Sequence, residues 1–191
     1  FNGTPDFQVG PNMPARFIFA TEDGTISGWN PAANPTRAIL KADHSNDAVY
    51  KGLAMGTLNG QNVLFAANFR GGSVDVFDTN FNPVAMPAGA FVDAQVPQGF
   101  APFNVQNIGG AIFVAFAMQD AALHDDVAGP GLGYVDRFAP DGTLLMRLKH
   151  GHWLNSPWAV VLAPEEFGKL GGRLLVGNFG SGQIASFDPA T

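Results

Sequence analysis

The stretch at 63–78, VLFAANFRGGSVDVFD, decides the fold that the sequence predicts. An apolar run opens it, a polar turn with two adjacent glycines follows, and apolar and polar residues then alternate up to Phe77. Alternation with a period of two is typical of a strand with one buried face, and glycines permit a tight reversal of the chain. The stretch therefore predicts two antiparallel strands joined by a hairpin turn, the second of which ends in an aromatic residue.

The same pattern recurs along the chain. An apolar strand, a glycine-bearing turn and an alternating strand are found again at 16–31, 112–142 and 174–189. The aromatic residues that end the second strand are separated by 48, 61 and 49 residues, and they are Trp29, Phe77, Phe138 and Phe187. The period is therefore close to 48 residues, and the third repeat carries an insertion of about a dozen more.

Segments between these repeats complete a four-stranded unit. A short strand-like segment precedes each of the later apolar strands, namely YKGLAMG (50–56), FAPFNVQNIGG (100–110) and SPWAVVLAP (156–164). A further strand, such as TLLMRLKH, follows the aromatic residue. Four antiparallel strands in about 48 residues are the signature of a β-propeller blade. A β-sandwich is the alternative, but it would not explain the in-phase recurrence. The predicted fold class is therefore all-β, a β-propeller of four-stranded antiparallel blades.

The repeat divides the chain into one propeller segment of about four blades. Their approximate bounds are 1–46, 47–95, 96–152 and 153–191, and the last blade lacks its outer strand. Propellers close into rings of about four to eight blades, because an open arc would expose the apolar faces of its end blades. We therefore expect further blades from the same longer chain, or a second copy, to complete the ring.

Charge and composition narrow the classes of function. The formal net charge is −6, and the ten Lys and Arg residues are scattered along the chain. Nucleic acids and anionic membrane surfaces require clustered basic residues, so neither is an expected partner. No apolar run reaches the roughly 18 residues of a membrane-spanning helix, which predicts no membrane insertion. The chain contains no cysteine, which excludes a disulfide framework and thiol chemistry.

Several motifs together resemble a family of uncharacterised exported β-propeller proteins, and the resemblance spans essentially the whole chain. The motifs are FIFATEDGTISGWNP, LFAANFRGGSVDVFD, GFAPFNVQNIGG, QDAALHDDVAGPGLGYVD, LNSPWAVVLAP and LLVGNFGSGQIASFDP. Full-length members of that family look like six-bladed, NHL-like propellers, and some carry sorting signals for the cell envelope. The resemblance implies blades on both sides of this segment and a secreted or cell-envelope location. It supplies no activity.

The insertion in the third repeat is a candidate metal site. Within QDAALHDDVAGPG it holds Asp120, His124, Asp125 and Asp126 between two predicted strands. Carboxylate oxygens suit calcium, although the spacing does not match an EF-hand loop. The alternative interpretation is a surface loop that its charges keep soluble. Calcium is therefore the one cofactor that the sequence suggests.

Amide side chains at the predicted channel mouth form a second candidate site. Asn155 enters a first strand of a blade, and Asn104 and Gln106 lie in a comparable position. Lactone-cleaving propellers of the gluconolactonase type hold calcium there with one Glu, two Asn and an Asp. This chain shows no matching acid in register. The alternative interpretation is that these amides satisfy backbone groups at the ends of strands.

Two functions follow from these observations. The first is a non-enzymatic binding or scaffold propeller outside the cell that recognises a glycan, a peptide or a protein. The second is a calcium-dependent hydrolase or lactonase with its site at the channel mouth, which rests on fold analogy. The sequence favours the first, because no convergent catalytic set of residues is apparent.

Overall fold

Four antiparallel sheets follow one another along residues 1–190, which a computed structural model of the chain describes. A two-stranded hairpin precedes them, and within each sheet the strands are hydrogen-bonded in chain order. The hairpin is formed by β1 (Gln8–Gly10) and β2 (Met13–Pro14), and the first sheet by β3 (Phe17–Ala20), β4 (Thr25–Trp29) and β5 (Ile39–Asp43). The second sheet consists of β6 (Tyr50–Leu58), β7 (Gln61–Asn68) and β8 (Ser73–Phe77), and the third of β9 (Phe100–Ile108), β10 (Ala111–Met118), β11 (Gly133–Phe138) and β12 (Leu144–Arg147). The fourth sheet consists of β13 (Pro157–Leu162), β14 (Leu174–Asn178) and β15 (Ile184–Phe187).

The sheets are arranged as the blades of a β-propeller. The first strands of neighbouring sheets contact one another, β6 with β9 and β9 with β13. Each sheet falls within one of the four intervals that the sequence repeat delimits. The all-β propeller fold predicted from the repeat is confirmed.

Apolar side chains fill the spaces between successive blades. The cluster between the second and third blades includes Phe65, Phe91 and Phe138, all at most 4% exposed. Phe138 and Phe77 are two of the aromatic residues that end the repeat, and both are almost fully buried. The recurrent aromatic therefore packs between blades. Burial of such a ring contributes about 3 kcal/mol, at the upper end of the range for a large apolar side chain.

The third blade has four strands, whereas the second has three. After β8 the second blade forms an isolated bridge between Phe77 and Pro83 in place of a fourth strand. The intervening segment contains Pro83, Pro87 and Pro97. Proline has no N–H to donate to a ladder, so a regular strand does not form there.

The first blade begins with β3, since the segment before it forms the separate β1–β2 hairpin. Gly10 pairs with Met13 across the turn, and Asn12 adopts a φ of 55°. Asparagine tolerates this left-handed conformation, which lets the chain reverse within two residues. The first blade, predicted to start at the first residue, therefore has three strands within the described chain.

Within residues 1–190 the structure contains one helical turn. This turn, the 3-10 helix η1 (Gly168–Leu170), is three residues long. No helix in the described part of the chain has the length and apolar character needed to cross a membrane.

Candidate functional site

The first strands of the second, third and fourth blades each contain a β-bulge near one end. In β6 the bulged residue is Lys51, which lies between residues paired with adjacent positions of β7. The corresponding residue is Phe103 in β9 and Trp158 in β13. An extra residue in one strand bends that strand and redirects its side chain, and bulges are common next to functional sites.

All three bulged residues line one cavity at the end of the ring. Its volume is about 380 Å³, and its remaining walls come from the turns and the insertion at the same end, namely Glu22, Asp125, Asp126 and Phe179. Glu22 lies just after β3, and Phe179 directly follows β14. The four blades thus each contribute to a single concave site, which we call the ring-end cavity.

Lys51 connects all four blades at the base of this cavity. Its ammonium Nζ lies 2.7 Å from Oε1 of Glu22 in the first blade and 3.1 Å from Oδ1 of Asp125 in the third. The indole Nε1–H of Trp158 in the fourth blade donates a hydrogen bond of 2.9 Å to the carbonyl oxygen of Lys51. The side chain of Lys51 is only 7% exposed, so these contacts hold it in place.

The electrostatic character of the cavity follows from which charges face solvent. The side chains of Glu22 and Asp125 are 57% and 68% exposed, whereas the ammonium of Lys51 lies behind them. The hydrogen bond from Lys51, with a further one from His124, holds the pKa of Asp125 below its usual value. The cavity therefore presents carboxylates and aromatic rings to an approaching molecule.

Asp120 organises the insertion that carries Asp125. Its Oδ1 accepts hydrogen bonds from the backbone N–H groups of His124, at 2.9 Å, and Asp125, at 3.3 Å. These backbone donors, that of His124 foremost, lower the pKa of Asp120. An isolated bridge between Gln119 and Asp126 closes the base of the same turn. The insertion is thus a folded loop whose position over the ring end is set by its own hydrogen bonds.

The predicted metal-binding residues are only partly brought together. Potential ligand atoms of His124 and Asp125 lie within 4.8 Å of one another and of a carboxylate oxygen of Glu22, which the sequence did not suggest. Asp120 is engaged with the backbone of the loop, and Asp126 lines the cavity. Because Lys51 already contacts Glu22 and Asp125, a metal ion would have to compete with its ammonium. Binding of calcium stays a prediction.

The amide residues predicted at the channel mouth have structural partners. Asn104 is buried and donates a hydrogen bond of 2.7 Å from Nδ2 to the carbonyl oxygen of Trp158, which joins the first strands of two blades. Asn155 accepts a bond of 2.7 Å from the N–H of Gly129, so it attaches the insertion to the fourth blade. Gln106 lies farther along β9, where it pairs with Phe113. A ligand-binding role for these three stays a prediction.

Sequence reasoning missed Glu22 and Phe179 at the turns of the cavity, and it also missed the three bulged residues Lys51, Phe103 and Trp158. The bulged residues lie in segments that the repeat identifies as first strands, so their approximate location was available. The direction in which their side chains point could not be predicted, because a bulge adds one residue and shifts the alternation of faces beyond it. A charged or large aromatic residue amid small residues, as in KGLAM and PWAVV, is the signal that could have indicated them.

Curated relatives come from a giant virus. Uncharacterized protein R640 of Acanthamoeba polyphaga mimivirus is 36% identical over 177 residues, which cover 90% of this chain and 32% of that protein. Uncharacterized protein R648 of the same virus is 34% identical over 181 residues, which cover 90% of this chain and 44% of that protein. The chain thus spans less than half of the length of these relatives. No protein-family model matches it.

A solved structure supports the fold. A chain in the crystal structure of a nidogen–laminin complex matches this chain with a TM-score of 0.52 and 16% sequence identity. The match covers 85% of this chain and 52% of the other. At this identity the likeness concerns the β-propeller fold alone.

Proposed function

We propose that the chain is part of an exported, six-bladed, NHL-like propeller that acts as a non-enzymatic binding module, with its ligand in the ring-end cavity. The observation that carries this proposal is the convergence of three bulged residues, Lys51, Phe103 and Trp158, on one cavity. Bulges at the same end of successive first strands direct three different side chains into one cavity. Packing of the blades against one another does not require such bulges, so we attribute them to a binding site.

The composition of the cavity also supports binding. Ligand sites are concave and combine aromatic walls with a few fixed polar groups. Here the ring of Trp158 is held by its hydrogen bond to Lys51, and Phe103 packs edge-on against Phe179 with ring centroids 6.0 Å apart. A preorganised wall loses little conformational entropy when a ligand docks.

The proposal is tested by nuclear magnetic resonance on the isotope-labelled full polypeptide. Neutral oligosaccharides, basic peptides and acidic peptides are added in turn, and backbone amide shifts are followed. We expect at least one class to shift the amides around Phe103 and Trp158 and to be recovered unchanged. Trp158→Ala should weaken that binding about tenfold or more, as loss of a central aromatic contact does. Phe167→Ala, which removes an exposed ring outside the cavity, is the control.

Two results would contradict the proposal. One is that no class shifts the cavity amides, and the other is that the ligand is chemically converted on incubation. The proposed export has a separate test, which is fractionation of cells that make the full polypeptide. We expect the protein in the medium or the cell envelope, as the resemblance to exported propellers suggests. Recovery in the cytosol would remove that part of the proposal and leave the cavity unaffected.

A calcium-dependent hydrolase or lactonase is the second candidate. It is favoured by the potential ligands Glu22, His124 and Asp125, whose ligand atoms lie within 4.8 Å of one another. If calcium binds there, it must raise the melting temperature of the protein relative to a chelator, because it stabilises the native state by mass action.

The variant Lys51→Met distinguishes a calcium site from an internal ion pair. A genuine site should bind calcium more tightly in this variant, because the competing ammonium is gone. Asp125→Asn should abolish both the calcium-dependent rise in melting temperature and any hydrolysis of a lactone. An unchanged melting temperature with calcium and with chelator, in the original protein and in Lys51→Met, would eliminate this candidate.

A further inference from the structure

The geometry points to a cationic side chain, an arginine of a protein partner, as the group that enters the ring-end cavity. This inference rests on the proposed binding function and specifies its ligand. Three features carry it: the sign of the charge that faces solvent, the exposed aromatic ring of Trp158 in the cavity wall, and the shape of the group that satisfies both.

The first feature is an excess of negative charge in the lining. Glu22, Asp125 and Asp126 supply three carboxylates, and Lys51 supplies one ammonium. Lys51 is shared between two of them, while Asp126 forms no ion pair with any other residue among 1–190. The lining therefore has two negative charges more than positive ones, and the carboxylates are nearer to solvent than the ammonium.

The second feature is the exposed ring of Trp158. Its side chain is 41% exposed although its indole N–H is bonded to the backbone of the second blade. The hydrogen bond holds the indole at the wall of the cavity, where part of the ring stays exposed. The face of an indole attracts a cation through its electron density, more strongly than the face of a phenyl ring does.

Arginine matches both features at once. Its guanidinium is planar, so it can lie against an aromatic ring while its N–H groups fork toward a carboxylate. Asp126 is the carboxylate without an ion-pair partner in the described chain, and it lines the same cavity as Trp158. A partner's arginine placed between them would neutralise a charge that is half-buried in the unbound protein.

Other ligand classes fit less well. An anion would meet exposed carboxylates before it could approach Lys51, which is buried beneath them. A neutral sugar could stack on Trp158, but by covering the cavity it would remove water from carboxylates without compensating their charge. Desolvation of an uncompensated charge is strongly unfavourable. The observations therefore favour a cation.

The test uses a short synthetic peptide with two arginines separated by a glycine. Its matched control is the same peptide with citrulline, which has nearly the same shape as arginine and no charge. Binding to the full polypeptide is measured by amide shifts at low and at high salt. We expect the arginine peptide to shift the amides around Trp158, and the citrulline peptide to bind at least several-fold more weakly. High salt should weaken the arginine complex because it screens exposed charges.

Variants assign the binding to the cavity. Asp126→Asn should weaken binding of the arginine peptide about twofold to fivefold, as expected for one partly exposed charge pair. Trp158→Phe, which keeps an aromatic ring, should have a smaller effect than Trp158→Ala. Glu166→Gln removes an exposed carboxylate outside the cavity and should leave binding unchanged apart from a small general salt effect.

The outcomes distinguish two claims, namely that the cavity binds a ligand and that this ligand is an arginine side chain. Loss of binding with citrulline and with Asp126→Asn supports the arginine inference. Equal binding of the arginine and citrulline peptides, or a neutral oligosaccharide that alone shifts the cavity amides, overturns the arginine inference and retains a binding site. Absence of any cavity shift with every probe overturns both.

Discussion

The second and third blades each have an aspartate at the same position, but the hydrogen bonds that its carboxylate accepts differ between the two blades. Asp75 and Asp136 each lie two residues before the aromatic residue that ends the third strand of the blade. Asp75 pairs with Ala66 in its sheet, as Asp136 does with Val114. In the second blade, the carboxylate of Asp75 accepts hydrogen bonds from neighbouring side chains of the same blade, namely Tyr50 and Asn68 at 3.0 Å and Ser73 at 2.8 Å.

In the third blade the carboxylate has no such partners. Asp136 is fully buried, and neither of its oxygens accepts a hydrogen bond within the described chain. Burial raises the pKa of Asp136 to about 7. The Nε of Arg147 on β12 is 3.6 Å away, but the guanidinium is engaged by Asp93 and Gln95, and it does not offset the burial of Asp136.

The difference follows from the strands on either side. The positions that hold Tyr50 and Asn68 in the second blade hold Pro102 and Phe116 in the third. Neither replacement can donate a hydrogen bond. The third blade instead has a fourth strand, and Arg147 lies directly opposite Asp136. The second blade thus supplies hydrogen bonds to its aspartate from its first three strands, whereas the third blade leaves its aspartate without a hydrogen bond, with Arg147 of the fourth strand 3.6 Å away.

The largest expected effect is that of Arg147→Met, which would remove the cation that pairs with Asp93. The buried carboxylate of Asp93 would then lack its charged partner. Breaking a buried pair in this way destabilises a protein by about 3–5 kcal/mol, to be measured by urea-induced unfolding at neutral pH. Arg173→Met is the control, since the pair of Arg173 with Asp188 is exposed and should contribute below about 1 kcal/mol. Equal losses in the two variants would mean that the buried cluster has no special role.

A smaller effect is expected from pH. The pKa of Asp136 is about 7 in the folded protein and 3.8 in its unperturbed state, so the folded protein retains a proton that the unfolded chain has released between these values. The contribution of this group to stability should therefore be fully present below about pH 4 and be lost, by up to about 4 kcal/mol, as the pH rises through 7. Asp136→Asn should remove this component of the pH profile and be more stable than the original protein above pH 7.

The second blade provides the contrast for the pH experiment. Asp75→Asn should leave the fall in stability toward neutral pH in place, because that fall is assigned to Asp136 of the third blade. A pH profile unchanged by Asp136→Asn would show that the aspartate of the third blade is ionised throughout and compensated by Arg147.

The shared features of these blades could be predicted from sequence, and their differences could not. The recurrence of Phe77 and Phe138 predicts the strand pairing, and both rings pack in the apolar clusters of the propeller. The missing fourth strand of the second blade was not predicted, although Pro83 and the prolines after it indicate it. The partners of Asp75 and Asp136 depend on strands far apart in the chain, and periodicity does not reveal them.

The contacts in the ring-end cavity could likewise be predicted only in part from the sequence. The insertion with Asp125 was predicted as a candidate site, since a charged segment interrupts an otherwise regular repeat. Its contact with Lys51, 74 residues earlier, arises from the closure of the blades around a common axis. Trp158 is likewise 107 residues from the carbonyl group that orients its ring. Such contacts depend on which side chains successive blades bring together and on the bulges, and the repeat period does not predict either.

The smallest expected effect returns to the hydrogen bonds of the second blade. Tyr50→Phe would remove the hydroxyl that donates to Asp75, while the aromatic ring would be retained. Since Asn68 and Ser73 would still satisfy the carboxylate, the loss should be about 1 kcal/mol, the net contribution of one hydrogen bond. The same change made in an Asp75→Ala background should cost much less, because the acceptor is already absent. An equal loss in both backgrounds would mean that the hydroxyl acts through packing, and that the two blades differ less than their hydrogen bonds indicate.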